Sequence, residues 1–250
     1  MILRRIAQHL KTQNWTAVGI ELLIVIVGVF LGAQASNWNE ERKGRAGEQV
    51  FLERLQDDVS TDLDVLADKA AYLTAAGAAG RRAEAFIAAG KPCEGNCWRV
   101  LTDFFAASQF QDLNSSRGSL QALQGSPYPY DERLKRDVIA FYSVLDQTKA
   151  VTGPSEYRRR MRLKVPMNTL LALWRCNTNR GETQQFDFNC PPGASDAEAR
   201  LVVDRLRADP DLRAELAVDV GMRATLAQLL GDIDASGRAV LGKIEAKIEK

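Results

Sequence analysis

Residues 15–38 read WTAVGIELLIVIVGVFLGAQASNW. From Thr16 to Ala35, twenty residues carry one charge, Glu21. As an α-helix rising about 1.5 Å per residue they extend about 30 Å, the thickness of a bilayer's hydrocarbon core. Trp15 and Trp38 bracket the run, where amphipathic rings favour the two headgroup interfaces. A membrane-spanning helix over 15–38 is therefore expected, dividing the chain into a short segment 1–14 and a large domain 39–250.

One stripe of this helix is unusual. Glu21, Gly28, Gly32 and Ala35 are spaced by seven, four and three residues and so share a face. Gly28-x-x-x-Gly32 is a small-xxx-small pattern that lets two helix backbones approach closely in lipid. A glutamate facing lipid costs roughly 2–3 kcal/mol even on lenient scales. The stripe is expected to be a helix–helix contact, with Glu21 protonated or hydrogen-bonded across it, and a homodimer through the anchor would follow. The plainer reading puts Glu21 about 9 Å from Trp15, where it snorkels to the headgroups, and makes the glycines incidental. A cleaved signal peptide is the rival for the whole segment, because Ala33-Gln34-Ala35 resembles a cleavage site. Its apolar run and its leading segment are long for a signal peptide, and Trp38 reads as a second anchor, so retention is expected.

Outward from the anchor, segment 1–45 has net charge +3 and the whole chain +1, which leaves −2 for 46–250. No basic excess points to nucleic acid. Arg4, Arg5 and Lys11 precede the helix, and Arg42, Lys43 and Arg45 follow it beside Glu40 and Glu41, so charge alone does not orient it. Cysteines break the tie. Cys93, Cys97, Cys176 and Cys190 all follow the anchor, in the loops KPCEGNC and RCNTNRGETQQFDFNCPPG. An even set in such loops suits disulfides in an oxidising compartment. Local pairing, Cys93–Cys97 and Cys176–Cys190, is expected, although the sequence leaves three connectivities open. Zinc is the competitor, but C-x3-C followed by C-x13-C is poor spacing for it. The expected topology is a bacterial inner membrane with the N-terminus in the cytoplasm and the large domain in the periplasm.

His9 is the only histidine in the chain. The large domain thus has no Ser-His-Asp triad, no Cys-His dyad and no His-ligated metal. No P-loop, dinucleotide fingerprint, nucleophile elbow or calcium loop is present. The expectation is a non-enzyme without a cofactor.

Apolar periodicity beyond the anchor is helical throughout. Val50, Phe51, Leu55, Val59, Leu63, Leu66, Ala70 and Leu73 mark a helix from Gly44 to Ala89, running on from the anchor. Asp57, Asp58, Asp62 and Asp64 fall mostly on its solvated side. Gly77 and Gly80 imply a close neighbour or a break. A second helix is expected over Trp98–Phe110, a turn at Asn114–Gly118 and one helical turn at 119–123. Asp131 caps a helix to about Ala150. Ser155 begins another, which Pro166 kinks or splits before Cys176. Residues 177–194 read as loop. Ser195 and Glu198 form a capping box, and Asp209-Pro210 restarts the chain into a final helix. Almost nothing alternates with period two, so no sheet is expected. The fold class is all-α, one transmembrane helix followed by an antiparallel helical bundle.

Arg158, Arg159, Arg160, Arg162 and Lys164 place five cations within seven residues. They read either as a candidate anion contact or as a solvated helix paired with carboxylates elsewhere. Spread around a helix, they cannot all be buried.

Three stretches together carry a resemblance. They are the start through IVGVFLGAQASNWNE, Phe51-Leu-Glu-Arg-Leu-Gln-Asp-Asp, and Leu113-Asn-Ser-Ser-Arg-Gly-Ser-Leu with the DERLKRDVIAFYS helix. They resemble an uncharacterised family of bacterial proteins, a domain of unknown function with one N-terminal membrane helix and a helical extracytoplasmic domain. The resemblance implies a retained anchor and transfers no catalytic residue. The chain departs from that pattern at GSPYPYDE and at its two cysteine loops.

Three functions follow in order of support. The first is a membrane-anchored periplasmic helical module working through protein–protein contact, with itself or an unknown partner. The second is a periplasmic domain that binds or senses a small anion near the arginine run. The third is an Asp/Glu-dependent cell-wall hydrolase, which needs two inward carboxylates within about 10 Å.

Overall fold

The computed structural model describes residues 15–110, 118–148, 154–180 and 183–249. His9, Arg4, Arg5, Lys11, the Trp15 side chain and residues 114–117 of the expected turn lie outside them. Among the described residues the protein is all-α apart from one short pair of strands. Its elements are α1 (Trp15–Ala89), α2 (Cys97–Ala107), α3 (Gly118–Gly125), α4 (Glu132–Thr148), α5 (Glu156–Lys164), α6 (Met167–Trp174), β1 (Asn177–Arg180), β2 (Thr183–Phe186), α7 (Asp196–Arg207) and α8 (Pro210–Ile248). Two compact units divide the chain, Met1–Phe51 and Leu52–Lys250.

The first unit holds an apolar window of mean hydropathy 1.9, none of it buried. Its large side chains, from Ile20 to Leu31, are 46–68 % exposed. By length and composition this helix is able to cross a membrane.

In the second unit, Leu52, Leu55, Val59, Leu63 and Leu66 step by three or four residues along α1 and are buried. Toward the end of α8, Leu230, Ile233, Gly237, Val240 and Ile244 keep the same spacing and are buried too. Helix α8 packs along α4, whose Leu134, Val138, Phe141 and Leu145 form its buried face. Gly237 lies where these helices meet. A Cβ there would stand 2.6 Å from both Leu63 Cδ2 and Phe141 Cε2. A second core section gathers Ala83, Leu101, Phe104, Phe105, Val203 and Leu216, where α2 packs on α7. Gly80 packs closely here: an added Cβ would collide with Val220 Cγ2. Gly80 thus marks a close neighbour, Gly77 makes only ordinary contact with Arg223 Cβ at 3.7 Å, and the helix runs unbroken through both.

Local chemistry explains the helix ends. Asp131 Oδ1 accepts the backbone N–H of Arg133 and Leu134 at 3.0 and 3.1 Å and starts α4. Ser195 and Glu198 form both bonds of the capping box. Asp209 caps α8, with Pro210 at its first position. Pro166 splits the 155–176 stretch into α5 and α6. The residue before it, Val165, is extended at φ −100°, ψ 128°, as the proline ring requires. Helix α2 ends at Ala107, short of Phe110, because Ser108 Oγ and Gln109 Nε2 both donate to the Phe105 carbonyl, at 2.7 and 2.9 Å.

Two expectations need correction. Residues 177–180 and 183–186 pair as two antiparallel strands, Asn177 with Phe186 and Arg180 with Thr183, where a loop and no sheet were expected. Apart from Phe186 the strands are polar, so no apolar alternation announced them, and backbone pairing between the two cysteines holds them. Asp187 N–H adds a bond to the Cys176 carbonyl at 2.8 Å. Asp62 is buried at 6 % exposure, not solvated.

Gly237→Ala is expected to lower stability by about 1 kcal/mol, overpacking outweighing the gain in helix propensity. Gly231→Ala, with nothing within 4 Å of its Cβ, should gain up to about 1 kcal/mol. Denaturant unfolding of the detergent-solubilised chain measures both.

The ion pair of Asp131 with Lys247 Nζ at 2.8 Å and two cap bonds hold the Asp131 carboxyl down at about 2, below its ordinary 3.8. A folded pKa below the unfolded one adds stability above about pH 4 that disappears as pH falls toward 2. Asp131→Asn should flatten the stability curve in that window, read from thermal midpoints against pH.

Candidate functional site

The arginine run divides by direction. Residues four apart share a helix face. Arg160 and Lys164 face the start of α8. Arg160 Nε donates to both Glu215 oxygens at 2.9 Å, and Lys164 Nζ lies 2.8 Å from Asp209 Oδ2. Arg159 points outward and pairs with Glu156 of its own helix. Glu215 raises the pKa of Arg160, and Glu156 that of Arg159. These three cations have carboxylate partners.

Arg158 and Arg162 share the opposite face and stack on aromatic rings. The Arg158 guanidinium lies 4.7 Å from the Phe110 ring centroid and 5.7 Å from that of Trp174, and Arg162 lies 4.8 Å from Trp174. Arg158 Nη1 donates to the Ser108 carbonyl at 2.9 Å and to Gln109 Oε1 at 3.1 Å, both neutral acceptors. Arg162 Nε and Nη2 are buried without a hydrogen-bond partner among the described residues. Burial brings Arg158 down to about 10, helped by the nearby charges of Arg162 and Arg223. Burial also lowers Arg162.

Beside this face lies a half-open groove of about 1140 Å³. Leu73 of α1, Phe110 and the Val218, Met222, Leu226 and Leu229 face of α8 form its apolar walls. A small polar group sits among them. Asp219 Oδ2 accepts from Ser155 Oγ at 2.9 Å and from Arg223 Nη2 at 3.2 Å. Arg223 Nε and the Tyr72 hydroxyl are buried without a hydrogen-bond partner among the described residues. Burial pushes Tyr72 up to about 12 against the opposing pull of Arg223 and Arg158. Tyr157 is fully buried, donates to the Phe104 carbonyl at 2.8 Å, and is raised by the same cause. Glu156 and Glu215 also line the groove, each holding an arginine.

Asp219 and Arg223 were missed in the sequence, yet a signal was there. The buried stripe of α8 runs Leu212, Leu216, Asp219, Arg223, Leu230, Ile233, with charges at two positions of an apolar period. An i, i+4 ion pair on the buried face of a helix is unusual enough to single out.

The remaining candidates lie apart from the groove. Glu21, Gly28, Gly32 and Ala35 are exposed on α1, and nothing lies within 4 Å of a Cβ placed at either glycine. Cys93–Cys97 and Cys176–Cys190 are the two pairs at disulfide distance, with Cα separations of 5.7 and 5.4 Å. All four sulfurs belong to the α2–α7 core section. Gly95, at φ +88°, makes the turn of the shorter loop. The Cys97 N–H donates to Asp196 Oδ1 at 2.7 Å and ties the start of α2 to that of α7. Arg82 and Arg99 grip Asp103 at 2.6 and 2.7 Å and stack on Phe188 from the longer loop. Among the described residues, no group of three or more His, Cys, Asp or Glu is placed to hold a metal ion.

No family model, no curated protein and no solved structure matches this chain.

Cys176→Ala/Cys190→Ala is expected to cost about 3 kcal/mol, and Cys93→Ala/Cys97→Ala, which opens a much shorter loop, about 2 kcal/mol, in the chain-entropy account. Parallel urea unfolding of the two double variants checks both the size and the order.

Proposed function

We propose that the protein is a non-enzymatic, membrane-anchored helical module, in which an antiparallel bundle is held at the periplasmic face of a bacterial inner membrane and acts through protein–protein contact. The resemblance carried by residues 1–58 belongs to the same reading. The observation that carries it is the uncovered apolar stretch of α1. Side chains such as Ile24, Val29 and Phe30, each at least 60 % exposed, have no cover from the described residues. In water that surface is strongly unfavourable, and in lipid it is the favoured state.

Self-association through the anchor is the contact best supported. Gly28 and Gly32 leave a shallow, open strip on one face, and Glu21 shares that face. A second helix brought close there would shield the Glu21 carboxyl from lipid. Paired cysteines support the extracytoplasmic side, since an oxidising compartment sustains them. The three carboxylates lining the groove each engage an arginine, and the Glu156 carboxyl is held below its ordinary pKa by Arg159. That suits structural pairing better than general acid catalysis.

Two experiments test this reading. Crosslinking in native membranes, with a C-terminal tag, should trap a dimer that Gly28→Ile/Gly32→Ile reduces at least tenfold. An undiminished dimer in the double variant would remove the glycine strip from the contact. Acid-quenched cells treated with a maleimide mass tag, without reductant, should show no modified cysteine. Four accessible thiols would place the large domain in a reducing compartment.

A further inference from the structure

The groove beside α5 combines three features that the anchored-module reading does not use. Its long wall is apolar and open: Val218 and Met222 are 64 % and 54 % exposed, and with Leu226 they repeat every fourth residue along one face of α8. Such a row in a soluble surface is an unpartnered strip, and a volume of about 1140 Å³ lies just above the usual range of small-molecule pockets, about 300–1,000 Å³. Among these apolar residues the lining holds Arg223, 8 % exposed, with Nε–H donating to nothing among the described residues. The Tyr72 hydroxyl, next in the chain to the groove-lining Leu73, is 6 % exposed and equally without an acceptor. Buried donors left unpaired are unfavourable, and more so when charged. The third feature is charge. Asp219 is the carboxylate that meets Arg223, and it also accepts from Ser155. Arg158 stands within electrostatic reach of Arg223 and Tyr72, and its own hydrogen bonds go to neutral oxygens. The Arg158–Arg223–Asp219 group therefore carries one positive charge in excess.

We propose that this groove is a binding site for a free single-chain amphipathic acid, its carboxylate at the guanidinium of Arg223 and its alkyl chain along Val218, Met222 and Leu226. A compact inorganic anion would match the charge and leave the apolar wall wet. A neutral hydrocarbon would cover the wall and leave the excess charge unmet. A cationic amphiphile would meet arginines of its own sign. An acid with a long apolar tail answers both the charge and the wall. The site lies wholly within 52–250 and does not depend on self-association of the anchor.

The test uses the full chain in lipid nanodiscs, irradiated with palmitate carrying a diazirine on its alkyl chain, followed by peptide mapping. Adducts are expected on residues 214–229, competed at least tenfold better by unlabelled palmitate than by hexadecanol. Met222→Glu, at an exposed position, should cut adduct yield there at least tenfold with an unchanged thermal midpoint. Arg223→Gln should erase the preference for the acid over the alcohol; if it unfolds, the Met222→Glu result and the acid–alcohol ratio decide. Adducts confined to 19–38, equal competition by the alcohol, or labelling by a diazirine phospholipid and not by the free acid would each overturn the proposal.

Discussion

At Gly237 the side chain is a hydrogen atom because there is no room for more. Leu63 of α1 and the Phe141 ring of α4 both come within 2.6 Å of where a Cβ would stand. Three helices approach to this distance only if one of them is smooth at the crossing. Gly80 does the same at the other core section, where α1 presses on Val220 of α8. Between these two closures, α8 is held against α1 at two separated points. The one at Val220 falls within the stretch of α8 that carries Asp219, Arg223 and the open Val218–Met222 wall.

That stretch departs from the apolar rule that organises the rest of the helix. A charged pair occupies two positions of the buried stripe, and the i, i+4 bond between Asp219 and Arg223 only partly satisfies it. Replacing such a pair with apolar residues is often neutral or stabilising in proteins. Its presence beside an uncovered apolar wall is the reason to regard this region as functional rather than purely structural. The five cations of 158–164 follow a related logic. Helix geometry sends Arg160 and Lys164 to the carboxylates at the start of α8, Arg159 to its own helix, and Arg158 and Arg162 onto Trp174. One run of charge thus serves as docking clamp, solvated surface and source of positive potential, according to which side of α5 each residue occupies.

Much of this architecture is readable from the amino acids alone. The exposed apolar run of α1, the caps at Asp131, Ser195 and Asp209, and the split at Pro166 depend on neighbours within a few residues, so their chemistry is complete in the local sequence. The local pairing of cysteines is in the same class, because short loops favour near partners. Only the folded chain decided the rest. The strands 177–180 and 183–186 are polar except at Phe186 and owe their pairing to backbone bonds closed by a disulfide, which no side-chain period announces. Asp62 looked solvated until the packing buried it. The partners of the arginines, the meeting of Ser155 with Asp219 across 64 residues, and the groove itself are relations between distant segments. Periodicity states which face of a helix is apolar, whereas the neighbour that covers it, or leaves it open, is set by how the helices pack.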